Sequence, residues 1–116
     1  MASKLVPFPL LFWRSSTGKE PVREFLQEQT KPDRVRLGSD LRKLQFGWPI
    51  GMPLVRSLGG DLWELRSSTP SKREVRIIFA SGDDVLVLLH AFVKKSQKTP
   101  PSEMAVARQR LKELQS

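Results

Sequence analysis

The spacing of apolar residues changes once along this chain, and that change restricts the fold more than any other feature. Between residues 21 and 47, apolar side chains recur every three or four positions, which is the period of a helix buried on one side. Between residues 61 and 93 they recur at every second position, in three runs separated by polar segments, as in β-strands. Helices followed by consecutive strands predict an α+β fold with a sheet rich in antiparallel pairs.

Turn and cap residues locate the predicted elements. These are a strand at residues 8–14, helices beginning at Pro21 and Thr30, strands at residues 61–67, 74–80 and 85–93, and a helix beginning at Pro101. The predicted order is β-α-α-β-β-β-α, with an αα-hairpin on one face of the sheet and a C-terminal helix. We expect residues 1–116 to form a single domain, because the sequence has no internal repeat and no interior linker.

Charge and missing residue types exclude several classes of protein. Twenty Lys and Arg against twelve Asp and Glu give a net charge of +8, so nucleic acid, the ribosome or an acidic protein is the expected partner. The absence of cysteine and the presence of one histidine argue against disulfides and metal centres, and we expect no cofactor. No run approaches the roughly 20 apolar residues of a membrane helix, so we expect a cytoplasmic protein without a membrane partner.

Alternation sorts the strand residues into two faces. The uncharged face is the predicted core and consists of Trp63, Leu65, Val75, Ile77, Phe79, Val85, Val87, Leu89 and Ala91. The mixed face is the candidate site and consists of Leu62, Glu64, Arg66, Glu74, Arg76, Ile78, Leu88, His90 and Phe92. If both hairpin loops contain an odd number of residues, Arg66, Arg76 and His90 lie in one row, each about 5 Å from the next.

Two glutamates on the mixed face leave a second interpretation open. Arg66 and Arg76 could form exposed salt bridges with Glu64 and Glu74, each worth about 0 to 1 kcal/mol. A partly buried His90 would then have a structural role. Arginines that are available to an anion favour an enzyme, whereas arginines neutralised by the glutamates favour a binding protein.

Two basic stretches suit a phosphate backbone. Lys94, Lys95 and Lys98 lie at the exit of the last predicted strand with no acidic residue between them. Lys43 and Arg56 lie in a second stretch without acidic residues. We therefore expect nucleic acid to contact both stretches.

Three segments of the chain resemble the RelE/HigB-type toxin family, in particular its phage-derived branch. They are residues 44–54, residues 58–66 with Leu-Trp-Glu-Leu-Arg, and residues 87–100 with His-Ala-Phe-Val-Lys-Lys. The resemblance extends from Pro21 to the C-terminal helix, and the predicted element order agrees with the fold of that family. It implies a toxin of a type II toxin–antitoxin pair that enters the ribosomal A site and cleaves mRNA without a metal.

The resemblance also implies a mechanism. In such enzymes the ribose 2′-hydroxyl attacks the adjacent phosphorus, leaving a 2′,3′-cyclic phosphate and a 5′-hydroxyl. Arg66 then binds phosphate and stabilises the transition state, with Arg76 as a second clamp. His90 is the base or the acid, or a lysine of the following segment, such as Lys98, transfers the proton instead.

Family members use a tyrosine near the C-terminus to orient or stack on a nucleotide, and this chain has no tyrosine. Trp48 or Phe92 could stack in its place. The expected partners are mRNA, the ribosome and a cognate antitoxin with a helix-turn-helix DNA-binding domain. The residues expected to bind RNA are Lys43, Trp48, Arg56, Phe92, Lys94 and Lys95. Two alternatives stay open, namely a relative that binds RNA or the ribosome without cleavage, and a gyrase-inhibiting toxin of the RelE/ParE superfamily.

Overall fold

The computed structural model describes residues 7–95 and 97–116, which form an α+β fold as predicted. The elements are β1 (Leu10–Phe12), α1 (Pro21–Gln27), α2 (Lys31–Gly47), β2 (Val55–Gly59), β3 (Leu62–Ser68), β4 (Glu74–Gly82), β5 (Val85–Lys94) and α3 (Pro101–Gln115). The observed order is β-α-α-β-β-β-β-α, with β2 as an additional strand. None of the helices in the described residues is long and apolar enough to cross a membrane.

The five strands form one sheet in the order β1-β5-β4-β3-β2. β1 pairs in parallel with β5, and the other three pairings are antiparallel. The prediction of a sheet rich in antiparallel pairs is therefore confirmed. The sequence does not predict β2, because this short edge strand has only one buried residue, Val55, and no clear alternation.

The first core lies between the sheet and the two N-terminal helices. Pro21 begins α1, and the Thr30 side chain caps α2 by accepting a hydrogen bond of 3.4 Å from the backbone N–H of Asp33. The core residues from the helices are Val22, Leu37, Leu41 and Leu44, and those from the sheet include Leu65, Val75, Ile77, Phe79, Leu86 and Leu88. The predicted helical cover on one face of the sheet is thus observed.

A second core lies on the opposite face of the sheet, under α3. It consists of Trp13, Leu62, Ile78, Ala80, Leu89, Phe92 and Ala107. Part of the face that the sequence analysis proposed as the candidate site is therefore buried. The charged residues of that face lie nearer the end of the sheet where β3 ends and β4 begins.

A β-bulge in β5 corrects the predicted faces of that strand. Ile78 pairs with His90 and Phe79 pairs with Leu88, so Leu89 has no partner in the β4–β5 ladder. Because of this extra residue, the residues of β5 that precede Leu89 face the opposite side of the sheet from the side that strict alternation predicts. The prediction that Val87 and Leu89 share a face with Phe79 is wrong, because both pack in or against the second core.

Candidate functional site

The strand register places Arg66 of β3 directly opposite Arg76 of β4. The third residue of this row is Phe92, because His90 pairs with Ile78. The β3–β4 loop, residues 69–73, has the odd length that the sequence analysis assumed, whereas residues 83–84 form an even β4–β5 loop. The expected row is therefore correct for the two arginines and wrong for His90.

Arg76 is held by two carboxylates. Its side chain is 5% exposed, and Nη1 lies 3.3 Å from Oε1 of Glu74. Its Nε lies 3.8 Å from Oε1 of Glu64, which is fully buried. Oε2 of Glu64 accepts a hydrogen bond of 2.7 Å from the hydroxyl of Thr99. Within the described residues Oε1 of Glu64 and Nε of Arg76 lack hydrogen-bond partners, so these opposite charges face each other without a direct hydrogen bond.

Arg66 has a different environment although it lies opposite Arg76. It is half-buried, and its Nη1 lies 3.5 Å from Sδ of Met52. In the part of the chain that the structure describes, no carboxylate forms an ion pair with Arg66. The guanidinium of Arg66 is therefore available to an anionic ligand.

Two clefts meet at Arg66, Glu74 and Arg76. The α2 cleft, of about 490 Å³, is also lined by Arg36, Asp40, Lys43, Ile50, Pro53 and Leu54. The lysine cleft, of about 430 Å³, is also lined by Lys94, Lys95 and Gln97. Six Lys or Arg side chains and two carboxylates line the two clefts together. This excess of positive charge in concave surface suits a polyanion that crosses the arginine pair.

Lys94 lines the lysine cleft beside the arginine pair and has a shifted pKa. Its half-buried position, followed by the positive charge of Arg76, lowers the pKa of its amine below the ordinary 10.5, while Glu64 opposes the shift. The neutral amine is thus more populated near neutral pH than in an ordinary lysine. A neutral amine beside a phosphate-binding arginine can accept a proton from a substrate hydroxyl.

His90 contacts α3 instead of the clefts. Its Nε2 lies 2.6 Å from Oε1 of Glu103, and its Nδ1 lies 3.4 Å from Nη1 of Arg110. Its ring stacks on Phe92 with centroids 5.6 Å apart. Arg110 also donates a 2.7 Å hydrogen bond to the carbonyl of Leu89. These contacts favour a structural role for His90 in attaching α3 to β5.

The two aromatic residues expected to stack on bases are buried. Trp48 is 7% exposed, because the loop after α2 folds over the first core and brings its ring edge-to-face with Trp63 and Phe79. Phe92 is 6% exposed and belongs to the core under α3. The expectation that these rings are accessible to RNA is therefore wrong.

Of the other basic residues expected to bind or transform RNA, two line the clefts and two do not. Lys43 and Lys95 are exposed and line the α2 cleft and the lysine cleft, respectively. Arg56 is exposed on the edge strand β2, opposite Glu64 in the register. Lys98 is exposed on the segment that leads into α3.

The sequence analysis missed Arg36 and Asp40, which line the α2 cleft with Lys43. The signal was present, since positions 36, 40 and 43 share one side of a helix. This spacing alone does not predict a site, because charged residues commonly share the solvent-exposed side of a helix.

The fold and the clefts define a class of protein, a small basic α+β domain with a cationic groove at the end of a five-stranded sheet. No group of three metal-binding side chains occurs in residues 7–95 and 97–116. The chain belongs to the family of phage-derived Gp49-like proteins (DUF891), which matches residues 24–112. The match includes both clefts and leaves β1 outside. No curated protein matches the chain.

Proposed function

We propose that this protein is the toxin of a type II toxin–antitoxin pair, related to RelE/HigB-type toxins, and that it cleaves mRNA on the ribosome. The observation that carries the proposal is the position of Arg66. This arginine has no carboxylate partner in the described residues, lies where two cationic clefts meet, and faces Arg76 near Lys94.

The site can supply the parts of a metal-independent transesterification. Lys94, as the neutral amine, takes the proton of the ribose 2′-hydroxyl, whose oxygen forms a bond to the adjacent phosphorus. The bond from phosphorus to the 5′-oxygen breaks, and we assign to Lys98 the proton that this oxygen receives. Arg66 stabilises the charge that develops on the phosphoryl oxygens. The products are a 2′,3′-cyclic phosphate and a 5′-hydroxyl.

The distribution of carboxylates supports an enzyme over a pure binding protein. Glu64 and Glu74 both lie next to Arg76. They fix the orientation of Arg76, so this arginine positions the site more than it binds phosphate. The positive charge of Arg66 forms no ion pair in the described residues, so it can stabilise the charge of the transition state, as the cleavage mechanism requires.

The charge of the clefts also defines the proposed partners. Lys43, Arg56, Lys94 and Lys95 would contact the backbones of mRNA and ribosomal RNA. A cognate antitoxin with a helix-turn-helix DNA-binding domain would neutralise the toxin. An acidic segment that covers Arg66 and both clefts is the physical expectation for its binding surface.

The decisive experiment incubates the purified protein with a defined mRNA, with and without programmed ribosomes, and maps the new 5′ ends by primer extension. Cuts within the A-site codon that depend on ribosomes and vanish in Arg66→Ala support the proposal. Ribosome binding without cleavage contradicts it and favours a binding protein. Loss of gyrase supercoiling activity, with neither cleavage nor ribosome binding, would identify a gyrase inhibitor.

A further inference from the structure

The α2 cleft combines charged and apolar walls in a way that fits one nucleotide. We propose that it is a subsite for the nucleotide next to the scissile phosphate, with Arg36 and Lys43 on a phosphate and the base against an apolar wall. The wall consists of Ile50, Pro53 and Leu54. The inference rests on the proposed function in taking single-stranded RNA as the ligand.

Asp40 organises the charged side of this cleft. Its side chain is 5% exposed, and its Oδ2 accepts a 2.5 Å hydrogen bond from the hydroxyl of Ser67 on β3. The same carboxylate lies 3.5 Å from Nε of Arg36 and 3.7 Å from Nζ of Lys43. A buried, fixed carboxylate thus holds two exposed cations at the cleft. Cations that are already oriented lose less conformational entropy when they bind a phosphate.

Charge remains for a ligand after these contacts. Arg36 and Lys43 carry two positive charges against the single negative charge of Asp40, which already accepts a hydrogen bond from Ser67. One positive charge is therefore unmatched within the cluster. A phosphate monoanion would neutralise this charge, whereas a neutral ligand would leave it without a counter-charge.

Another part of the cleft lining, formed by Ile50, Pro53 and Leu54, is apolar. Ile50 and Leu54 are half-buried and pack against the first core, so their exposed surface is held in place. A nucleobase lying on this surface would remove apolar area from water on both partners. The volume of about 490 Å³ is within the range of small-molecule sites.

The cleft is continuous with the arginine pair, so the nucleotide that it would hold is a neighbour of the phosphate bound there. Arg66 and Arg76 line the α2 cleft together with Arg36 and Lys43. A phosphate on Arg66 therefore leaves the neighbouring nucleotide of the same strand at the α2 cleft. The lysine cleft, which shares the arginine pair with the α2 cleft, would hold the part of the strand that continues beyond that phosphate.

The test measures binding of a fluorescent 2′-O-methyl RNA hexanucleotide, which lacks the attacking hydroxyl, by anisotropy. Arg36→Gln and Lys43→Gln should each raise Kd about fivefold and reduce the salt dependence by about one phosphate contact. The matched control is Arg42→Gln. Arg42 is exposed on the same helix, does not line the α2 cleft, and lies over the ring of Phe46 at 5.8 Å. It should change Kd less than about twofold.

An equal loss of affinity in Arg36→Gln and Arg42→Gln would overturn the subsite, because it would show attraction by overall charge. A second arm uses the same backbone with abasic sugars. Loss of the bases should weaken binding to the wild type about fivefold, and equal binding would contradict the apolar contact.

These measurements separate the subsite from the proposed function. Selective loss in Arg36→Gln and Lys43→Gln, without cleavage on ribosomes by the wild type, would support the subsite and contradict the nuclease. If the wild type cleaves mRNA, but Arg36→Gln and Lys43→Gln bind RNA with the same Kd as Arg42→Gln, the subsite is overturned and the proposed function is not.

Discussion

Arg66 and Arg76 are partners in one row of the β3–β4 ladder, and both neighbouring glutamates contact Arg76. Like charges in such a pair destabilise a sheet unless opposite charges compensate them. Glu64 and Glu74 form ion pairs with Arg76, whereas Arg66 interacts with Glu74 through its charge without an ion pair. The two arginines should therefore differ in what their removal changes, since one is embedded in the fold and the other faces a ligand.

Replacing Arg66 tests the ligand-facing member. Arg66→Ala should lower cleavage on ribosomes at least about 100-fold, because the developing phosphoryl charge loses its planar partner. Its stability to urea, followed by circular dichroism, should stay within about 0.5 kcal/mol of the wild type. Arg66→Lys should retain part of the activity, since lysine keeps the positive charge but lacks the planar guanidinium that can donate two hydrogen bonds to one phosphate. An unfolded Arg66→Ala variant would show that Arg66 is structural.

Replacing Arg76 tests the buried member. Arg76→Ala should lower the free energy of unfolding by about 3 kcal/mol or more, because it leaves the carboxylate of Glu64 buried without a cation. Glu74→Gln is the matched control. The Glu74 side chain is 49% exposed, so its loss should cost less than about 1 kcal/mol. Equal urea midpoints for Arg76→Ala and the wild type would contradict the buried ion pair.

Lys94 should control the pH dependence of cleavage. As the base it must be neutral, so activity should rise with pH through its pKa, which burial and Arg76 place below 10.5. Arg56 also lowers this pKa by its charge. Arg56→Gln should therefore move the rising limb of the pH–rate profile to higher pH. A limb that does not move would argue against Lys94 as the base.

A charge-preserving substitution separates proton transfer from RNA binding at this position. Lys94→Arg keeps the positive charge but cannot accept the proton, so kcat should fall about 100-fold or more while the affinity for RNA changes little. Lys72→Arg, on the exposed β3–β4 loop, is the control and should behave as the wild type. Single-turnover cleavage with saturating ribosomes provides the measurement.

His90 should matter for stability. His90→Ala should lower the free energy of unfolding by about 1 kcal/mol through the lost contact with Glu103. Glu103→Ala should have a similar effect, and the double variant should lose less than the sum. Cleavage per folded molecule should be retained. If His90→Ala instead loses cleavage while its stability to urea is unchanged, His90 takes part in catalysis.

Local signals in the sequence were sufficient for most elements. Pro21, Thr30 and Pro101 mark the beginnings of the three helices because proline and cap residues act within one turn. Alternation located β3, β4 and β5 for the same local reason. Alternation also placed Arg66 and Arg76 on one face of neighbouring strands, and the register confirms that they are partners.

Long-range relationships were beyond such signals. The register that moved His90 away from Arg76 depends on loop length and on a bulge, and neither has a local signature in β5. The burial of Trp48 depends on how the loop after α2 returns to the sheet. The cluster of Arg36, Asp40 and Lys43 shares a cleft with Arg66 and Arg76, and Asp40 accepts a hydrogen bond from Ser67 of β3, so this relationship depends on how α2 packs on the sheet.

The unpaired Leu89 is one extra residue within the alternation of β5. Residues 86 and 88 face the layer of α1 and α2, while residues 89 and 92 face the layer of α3. An exchange such as Leu89→Val leaves both assignments intact. Deletion of Leu89 would also leave them intact, because Leu88 and His90 already face opposite sides of the sheet through their partners Phe79 and Ile78. A relative that lacks the bulge should therefore have one residue fewer at this point and present the same two faces before and after it.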